Sequence, residues 1–150
     1  MPKVTVLMPV YNGSKYLKAA IDSILSQSFT DFEFLIINDG STDDSVKIIN
    51  SYHDQRIKLI DNKINQGLVA VLNQGLKLAI GEYIARMDSD DFSTCNRLSQ
   101  QVRFMDKHND IGVLGSWVKI MKGSDEFLGR YFLNHEEIKA NLLFMLNSPY

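Results

Sequence analysis

Several features are scarce in this chain of 150 residues, and each scarcity excludes a class of protein. Cys95 is the only cysteine, so no internal disulfide can form, which fits a reducing compartment. No apolar run is long enough to span a bilayer, and the short run after Lys3 is interrupted by Pro9, unlike a signal peptide. With 16 basic and 18 acidic residues the net charge is -2, so we expect no nucleic-acid partner.

The sequence also lacks the common phosphate-binding motifs. The turn Pro9–Gly13 has no G-x-G-x-x-G, and no G-x-x-x-x-G-K-[ST] occurs anywhere in the chain. His53, His108 and His135 do not have the spacing of metal ligands, and Cys95 has no evident base partner that would make it a nucleophile. A phosphate group bound by this chain would therefore have to be neutralised largely by a metal ion.

Strand and helix patterns alternate along the first hundred residues. The predicted strands are Val4–Pro9, Phe32–Ile37, Ile57–Ile60 and Tyr83–Met87. The predicted helices are Lys15–Gln27, one that is capped by Ser41 or Thr42 and carries Asp43 and Asp44 in its first turn, Leu68–Ile80 ended by Gly81, and one that starts at Ser93 or Thr94. Further on, the patterns predict strands at Ile111–Met121 and Glu126–Phe132 and a helix from Asn134 through Leu146. Such alternation indicates an α/β fold with a mostly parallel sheet flanked by helices, and the later strand pair predicts an antiparallel addition after residue 110.

The most informative stretch is acidic and follows the fourth predicted strand. Asp88, Asp90 and Asp91 lie within four residues, and crowded carboxylates are best tolerated where a cation neutralises them. Hard ions such as Mg²⁺ or Mn²⁺ take oxygen ligands and leave positions for water and phosphate. On an extended backbone, Asp88 and Asp90 would point the same way. The two interpretations are a metal–diphosphate site and a solvated acidic turn that leads into the next helix.

Polar residues also follow the other predicted strands. Tyr11 and Asn12 follow the first strand, Asp39 the second, Asn65 the third, and the Asp88–Asp91 stretch the fourth. The carboxyl ends of parallel strands lie at one edge of a sheet, where open α/β folds bind their ligands. The shared edge therefore favours a ligand site over a set of unrelated turns.

Four segments taken together resemble the family 2 glycosyltransferases, which are inverting enzymes with the GT-A nucleotide-sugar-binding fold. The segments are Val6–Gly13 (VLMPVYNG), Ile37–Asp43 (INDGSTD), Asn65–Gly67 (NQG) and Ala85–Asp91 (ARMDSDD). The residues Arg97, Leu98 and Gln101, followed by Ile111–Gly115, also resemble the subgroup that builds bacterial surface polysaccharides, although a proline usual before that arginine is missing here.

The resemblance implies a nucleotide pocket lined by the turn from Pro9 to Asn12, with Tyr11 near the base. Asp39 is similar to the carboxylate that hydrogen-bonds uracil, the alternative being an Asx-turn with Gly40. Asn65 is either a ligand-binding residue or only a loop or capping residue.

Asp88-Ser89-Asp90 resembles the D-x-D motif of this family. By that resemblance, Asp88 approaches the ribose or sugar, and Asp90 ligates the Mn²⁺ or Mg²⁺ ion that bridges the diphosphate. Arg86 either contacts the diphosphate or forms an ion pair with a neighbouring carboxylate. Asp91 is interpreted as a helix-leading acid or a group behind the ligands, and Trp117 as a core residue.

The resemblance further implies a UDP-sugar donor and a glycan or lipid-linked acceptor. We expect residues 1–150 to be a single donor-binding domain of a longer enzyme, since the acidic general base of the family has no counterpart here and is expected beyond Tyr150. The implied location is the cytoplasm, with peripheral association at the inner face of the plasma membrane left open. Two alternatives remain: a nucleotide-sugar-binding fragment without turnover, and a metal-dependent phosphotransferase with Asp88 as nucleophile.

Overall fold

The computed structural model describes residues 1–116, 118–122 and 125–129. Met1–His108 form one compact unit and Asn109–Tyr150 form a second. In chain order the elements of the first unit are β1 (Val4–Val10), α1 (Ser14–Leu25), β2 (Phe32–Asp39), α2 (Ser45–Asn50), β3 (Ile57–Asn62), α3 (Leu68–Leu78), β4 (Tyr83–Arg86) and α4 (Arg97–Met105).

The four strands of the first unit form one parallel sheet in the order β3-β2-β1-β4. Strand β1 pairs with β2 from Val4↔Phe32 to Val10↔Asn38, and with β4 from Val4↔Tyr83 to Leu7↔Arg86. Since all four strands run the same way, the segments that follow them emerge at one edge. The prediction of a mostly parallel α/β sheet flanked by helices is confirmed.

Strand β1 is buried along its whole length because helices cover both faces of the sheet. Val6 and Met8 pack on the side of α1, whose Leu17 and Ile21 are fully buried. On the other face, Leu7 packs with the buried Val71 of α3 and with Leu35 and Ile37 of β2. Burial on both sides explains the nearly continuous apolar run of β1.

Helix α3 buries less of its apolar surface than its pattern predicts. Val71 and Gly75 are buried against the sheet, and a Cβ on Gly75 would collide with the side chain of Leu7. Leu68, Leu76 and Ile80 are 51%, 53% and 45% exposed. Only the stripe that contains Val71 and Gly75 faces the strands, so apolar residues on its flanks remain half exposed.

Gly81 has a different role from the predicted one. Helix α3 ends at Leu78, and its C-cap residue Ala79 is already extended. The Gly81 N–H donates to Thr5 Oγ1 at 2.9 Å, and a Cβ at this position would overlap the backbone of β1. Gly81 is therefore required by the close approach of two chain segments and does not end the helix.

Helices α2 and α4 begin later than predicted. Helix α2 begins at Ser45, so Asp43 lies before it and not in its first turn. Helix α4 begins at Arg97, and the buried Gln27, which follows α1, accepts a hydrogen bond from the Leu98 N–H at 3.0 Å. A side chain distant in sequence thus satisfies a terminal N–H of α4.

The described part of the second unit contains β5 (Val118–Lys122) and β6 (Asp125–Gly129), an antiparallel pair. The predicted strand Ile111–Met121 is wrong in its first half, because residues 111–116 form no strand; Val113 there is 89% exposed. Addition of this pair to the main sheet stays a prediction. Trp117, the end of the second predicted strand and the predicted helix Asn134–Leu146 lie outside the described residues. Within the described ranges, no helix has the length and apolar character needed to cross a membrane.

Candidate functional site

The segments that follow β1, β2, β3 and β4 surround one open cleft of about 270 Å³ in the first unit. The residues that line it are Pro9, Val10, Tyr11, Asp39, Asn65, Gly67, Leu68, Val71, Asp88, Ser89 and Asp90. Six of the eight predicted site residues are among them, since only Asn12 and Arg86 do not line the cleft. The lining combines apolar side chains, among them Val10 and Leu68, with the carboxylates of Asp88 and Asp90.

Asp88 and Asp90 reach the cleft from a turn. Strand β4 ends at Arg86, the Met87 N–H donates to the Leu7 carbonyl at 3.0 Å, and the Asp91 N–H donates back to the Asp88 carbonyl at 3.2 Å. The expectation that an extended backbone aligns the two carboxylates is therefore wrong. The turn places both of them at the cleft, together with Ser89.

Arg86 forms an ion pair with Asp88. Its Nη2 donates to Asp88 Oδ1 at 2.5 Å, and both side chains are partly exposed. Arg97 Nη2 donates to the Arg86 carbonyl at 2.9 Å, which ties the start of α4 to the end of β4. Of the two alternatives for Arg86, the geometry corresponds to the ion pair, which partly neutralises the acidic side of the cleft.

Asp91 does not lead a helix, because α4 begins only at Arg97. Partial desolvation and the negative charges of Asp88 and Asp90 raise the pKa of the Asp91 carboxyl. The repulsion among these carboxylates means that this turn would be stabilised by a cation.

Asp39, only 3% exposed, holds the loop between β3 and α3. Its Oδ1 accepts from the Gln66 N–H at 2.8 Å and its Oδ2 from the Gly67 N–H at 2.9 Å. Both oxygens of the carboxylate are therefore bonded to this loop, one of them to the N–H of the residue just before α3. Because Asn65 lines the cleft from the same loop, Asp39 helps to place that wall.

The turn between β1 and α1 is held by the segment Ser41–Ser45, and sequence reasoning did not predict this contact. Asn12 has a positive φ of 51°, and its Oδ1 accepts from the Thr42 N–H at 2.8 Å. Three successive N–H groups donate to this segment: Asn12 N to Ser41 Oγ at 2.9 Å, Gly13 N to Ser45 Oγ at 3.0 Å and Ser14 N to Asp43 Oδ2 at 2.9 Å. Ser41, Thr42 and Asp43 belong to the INDGSTD segment of the resemblance, but that motif does not say which turn they contact.

These contacts have a consequence for anion binding. In dinucleotide-binding folds, N–H groups at the start of the first helix bind phosphate, but here Asp43 and two serines already accept from them. Among the cleft-lining residues there are three aspartates and no Lys, Arg or His. The carboxylates of this lining would repel a diphosphate, and a bound cation would reduce that repulsion.

The donor set has the chemistry of a divalent-ion site that is completed by substrate. Asp88 and Asp90 supply carboxylate oxygens, which suit Mg²⁺ or Mn²⁺. No group of three or more His, Cys, Asp or Glu within the described residues could hold a metal ion. An ion held by these two carboxylates alone would take its remaining ligands from water or phosphate oxygens.

Comparison with known proteins gives a consistent result. The family model described as "Glycosyl transferase family 2" matches residues 5–148. The chain is 44% identical over 129 residues to the putative glycosyltransferase EpsE of Bacillus subtilis, covering 84% of this chain and 45% of EpsE. It is 35% identical over 121 residues to an Escherichia coli protein, UDP-Glc:alpha-D-GlcNAc-diphosphoundecaprenol beta-1,3-glucosyltransferase WfgD, covering 81% of this chain and 48% of WfgD.

Among solved structures, the S. aureus protein TarS 1-349 in complex with UDP-GlcNAc superimposes with a TM-score of 0.68 at 32% identity. The match covers 71% of this chain and 32% of TarS 1-349. The chain therefore spans less than half the length of these relatives.

Proposed function

Because this chain belongs to glycosyl transferase family 2, we propose that it is the donor-binding part of an inverting glycosyltransferase that uses a UDP-sugar. The observation that carries the proposal is the cleft, which combines an acidic turn at Asp88 and Asp90 with the ring of Tyr11 and an apolar wall. Two of the relatives support the choice of nucleotide, since TarS was solved with UDP-GlcNAc and WfgD is named for UDP-Glc.

In this proposal the nucleoside lies between the turn that contains Pro9 and Tyr11 and the wall formed by Asn65. Asp39 lies at the inner end of the cleft, where it accepts from the loop of Asn65 and faces the base. The apolar side chains Val10 and Leu68 exclude water from one side of the bound nucleoside.

The diphosphate lies over the acidic turn, where Asp90 and Asp88 would hold Mn²⁺ or Mg²⁺. Such an ion supplies Lewis-acid stabilisation of the departing nucleoside diphosphate. Arg86, through its ion pair, holds the Asp88 carboxylate in place and limits the repulsion between Asp88 and Asp90. The acceptor is a glycan or a lipid-linked glycan, and the reaction takes place in the cytoplasm, which the single cysteine fits.

Calorimetric titration of this chain with UDP, with and without Mn²⁺, tests the donor site. We expect binding that requires Mn²⁺, and we expect Asp90→Ala to weaken it by about 100-fold or more, as for the loss of a metal-site residue. The matched control is Asp31→Ala, an exposed aspartate at the opposite end of β2, which should bind UDP as the wild type does. Binding of UDP that needs no metal, or that survives in Asp90→Ala, would contradict the proposal.

A second experiment separates an enzyme from a binding fragment. The fragment is the second candidate because the chain covers only 45% of EpsE and 48% of WfgD. Release of UDP from UDP-glucose, measured with and without a glycan acceptor, reports turnover by this chain. Metal-dependent binding of UDP-glucose without release would assign the chain as a donor-binding fragment.

A further inference from the structure

The Asp43 carboxylate connects the start of α1 with the start of α2. Its Oδ2 accepts from the Ser14 N–H at 2.9 Å and its Oδ1 from the Ser45 N–H at 3.0 Å. Partial desolvation raises the pKa of the Asp43 carboxyl, but the hydrogen bonds from Ser45 and Ser14 outweigh it and hold the pKa well below its ordinary range. A charged acceptor bonded to N–H groups at both of its oxygens is a strong local constraint.

The segment that Asp43 constrains carries one wall of the cleft. Tyr11 lines the cleft, and the next three residues, Asn12–Ser14, donate their N–H groups to side chains of the segment Ser41–Ser45. On its other side the same turn packs closely on the acidic turn, because a Cβ added to Gly13 would lie 3.0 Å from Ser89 Oγ. The position of Tyr11 relative to Asp88 and Asp90 therefore depends on how firmly this turn is held.

We infer that Asp43 is a positioning residue for the donor site: it fixes the turn that carries Tyr11 through the Ser14 and Ser45 N–H groups, without lining the cleft itself. The inference rests on the proposed function, because its effect is measured on a nucleoside diphosphate. Removing this carboxylate should displace Tyr11, whereas Asp88 and Asp90 should keep their positions because backbone hydrogen bonds of Met87 to Leu7 and of Asp91 to Asp88 hold their turn.

The experiment compares two probes that share the diphosphate, UDP and inorganic pyrophosphate, each titrated in the presence of Mn²⁺. Asp43→Asn keeps the shape of the side chain, but its amide can accept from only one of the two N–H groups. We expect about tenfold weaker UDP binding, the scale of one lost aromatic contact, and unchanged pyrophosphate binding. A merely structural loss of folded protein would reduce the apparent binding of both probes together.

A control variant and a double mutant test whether the effect is specific to Asp43 and acts through Tyr11. Asp44→Asn changes the neighbouring carboxylate, which is exposed and pairs with Lys47 in α2, and should leave both affinities unchanged. If Asp43 acts through Tyr11, then Asp43→Asn should cost little further UDP affinity when Tyr11→Ala is already present. Full additivity of the two changes would overturn the inference.

Three other outcomes are informative. Failure of the wild-type chain to bind UDP with Mn²⁺ would refute the proposed function, whereas wild-type UDP affinity in Asp43→Asn would refute only the positioning role. If Asp43→Asn shows no thermal unfolding transition, Ser41→Ala replaces it, since Ser41 accepts from the Asn12 N–H in the same turn. The same selective loss of UDP affinity is expected there, and equal losses for both probes would overturn the inference.

Discussion

Gly40 occupies a position where a single added methyl group should move one wall of the cleft. Its φ is +70°, and a Cβ built on it would lie 2.7 Å from the carbonyl carbon of Ile64 and 2.8 Å from the backbone nitrogen of Asn65. Both neighbours are backbone atoms, so no side-chain rotation can relieve the overlap. Gly40→Ala must therefore shift the loop that carries Asn65, or shift the end of β2.

The expected cost has two parts. An L-residue at this φ is less favourable than glycine by about 1–2 kcal/mol, and forcing an extra methyl group into a packed site costs about 1–3 kcal/mol. The sum, about 2–5 kcal/mol, is a large share of the about 5–15 kcal/mol by which folded domains are stable. The same loop carries the Gln66 and Gly67 N–H groups, which donate to the Asp39 carboxylate, so a shift of the loop should lengthen these two hydrogen bonds.

Urea unfolding measures the free energy of unfolding of Gly40→Ala. Titration with UDP and Mn²⁺ measures whether the shift of the loop that carries Asn65 weakens UDP binding. Gly67→Ala is the matched control, because Gly67 also has a positive φ of 87° but nothing lies within 4 Å of its added Cβ. It should cost only the backbone strain, about 1–3 kcal/mol. If Gly40→Ala lowers the free energy of unfolding by no more than Gly67→Ala does, the steric account of this turn is wrong, whatever the ligand data show.

Two further predictions concern buried polar residues outside the cleft. Burial raises the pKa of Glu33, but hydrogen bonds from Lys58 and other donors outweigh it, so the net pKa is lowered. The charged Glu33 therefore stabilises the fold fully above its unfolded-state pKa of about 4.3, and this stabilisation is lost as the pH falls through the lower folded-state pKa. Glu33→Gln should flatten this part of the acid-unfolding curve. An unchanged curve would contradict a stabilising role for the Glu33 carboxylate. Gln27→Ala removes the acceptor for the Leu98 N–H and should lower the free energy of unfolding by about 1–3 kcal/mol, measured in urea. The exposed Gln100 is the control, and an equal effect of Gln100→Ala would refute the capping role of Gln27.

The sequence alone was sufficient for the class of fold. The run Val4–Val10 is apolar on both faces, and the helical spacing of Leu17, Ile21 and Ile24 requires one buried side, so strand and helix follow from local burial patterns. The edge where the strands end also follows from parallel alternation, which is why most of the predicted site residues meet in one cleft. The carboxylates after β4 indicated a metal–diphosphate site as one of two interpretations, and only the family resemblance implied a nucleotide base near Tyr11.

Only the tertiary structure decided what each polar side chain contacts. Asp43 caps α1 from 29 positions away, and Asp39 accepts from N–H groups 27 and 28 positions further along the chain. The pattern of nearby residues placed Asp43 in the first turn of α2 and offered Asp39 a turn with Gly40, because local spacing carries no information about which loops meet. Periodicity reports whether a side chain is buried, whereas the partner of a hydrogen-bonding group depends on strand order and register, which are properties of the folded chain.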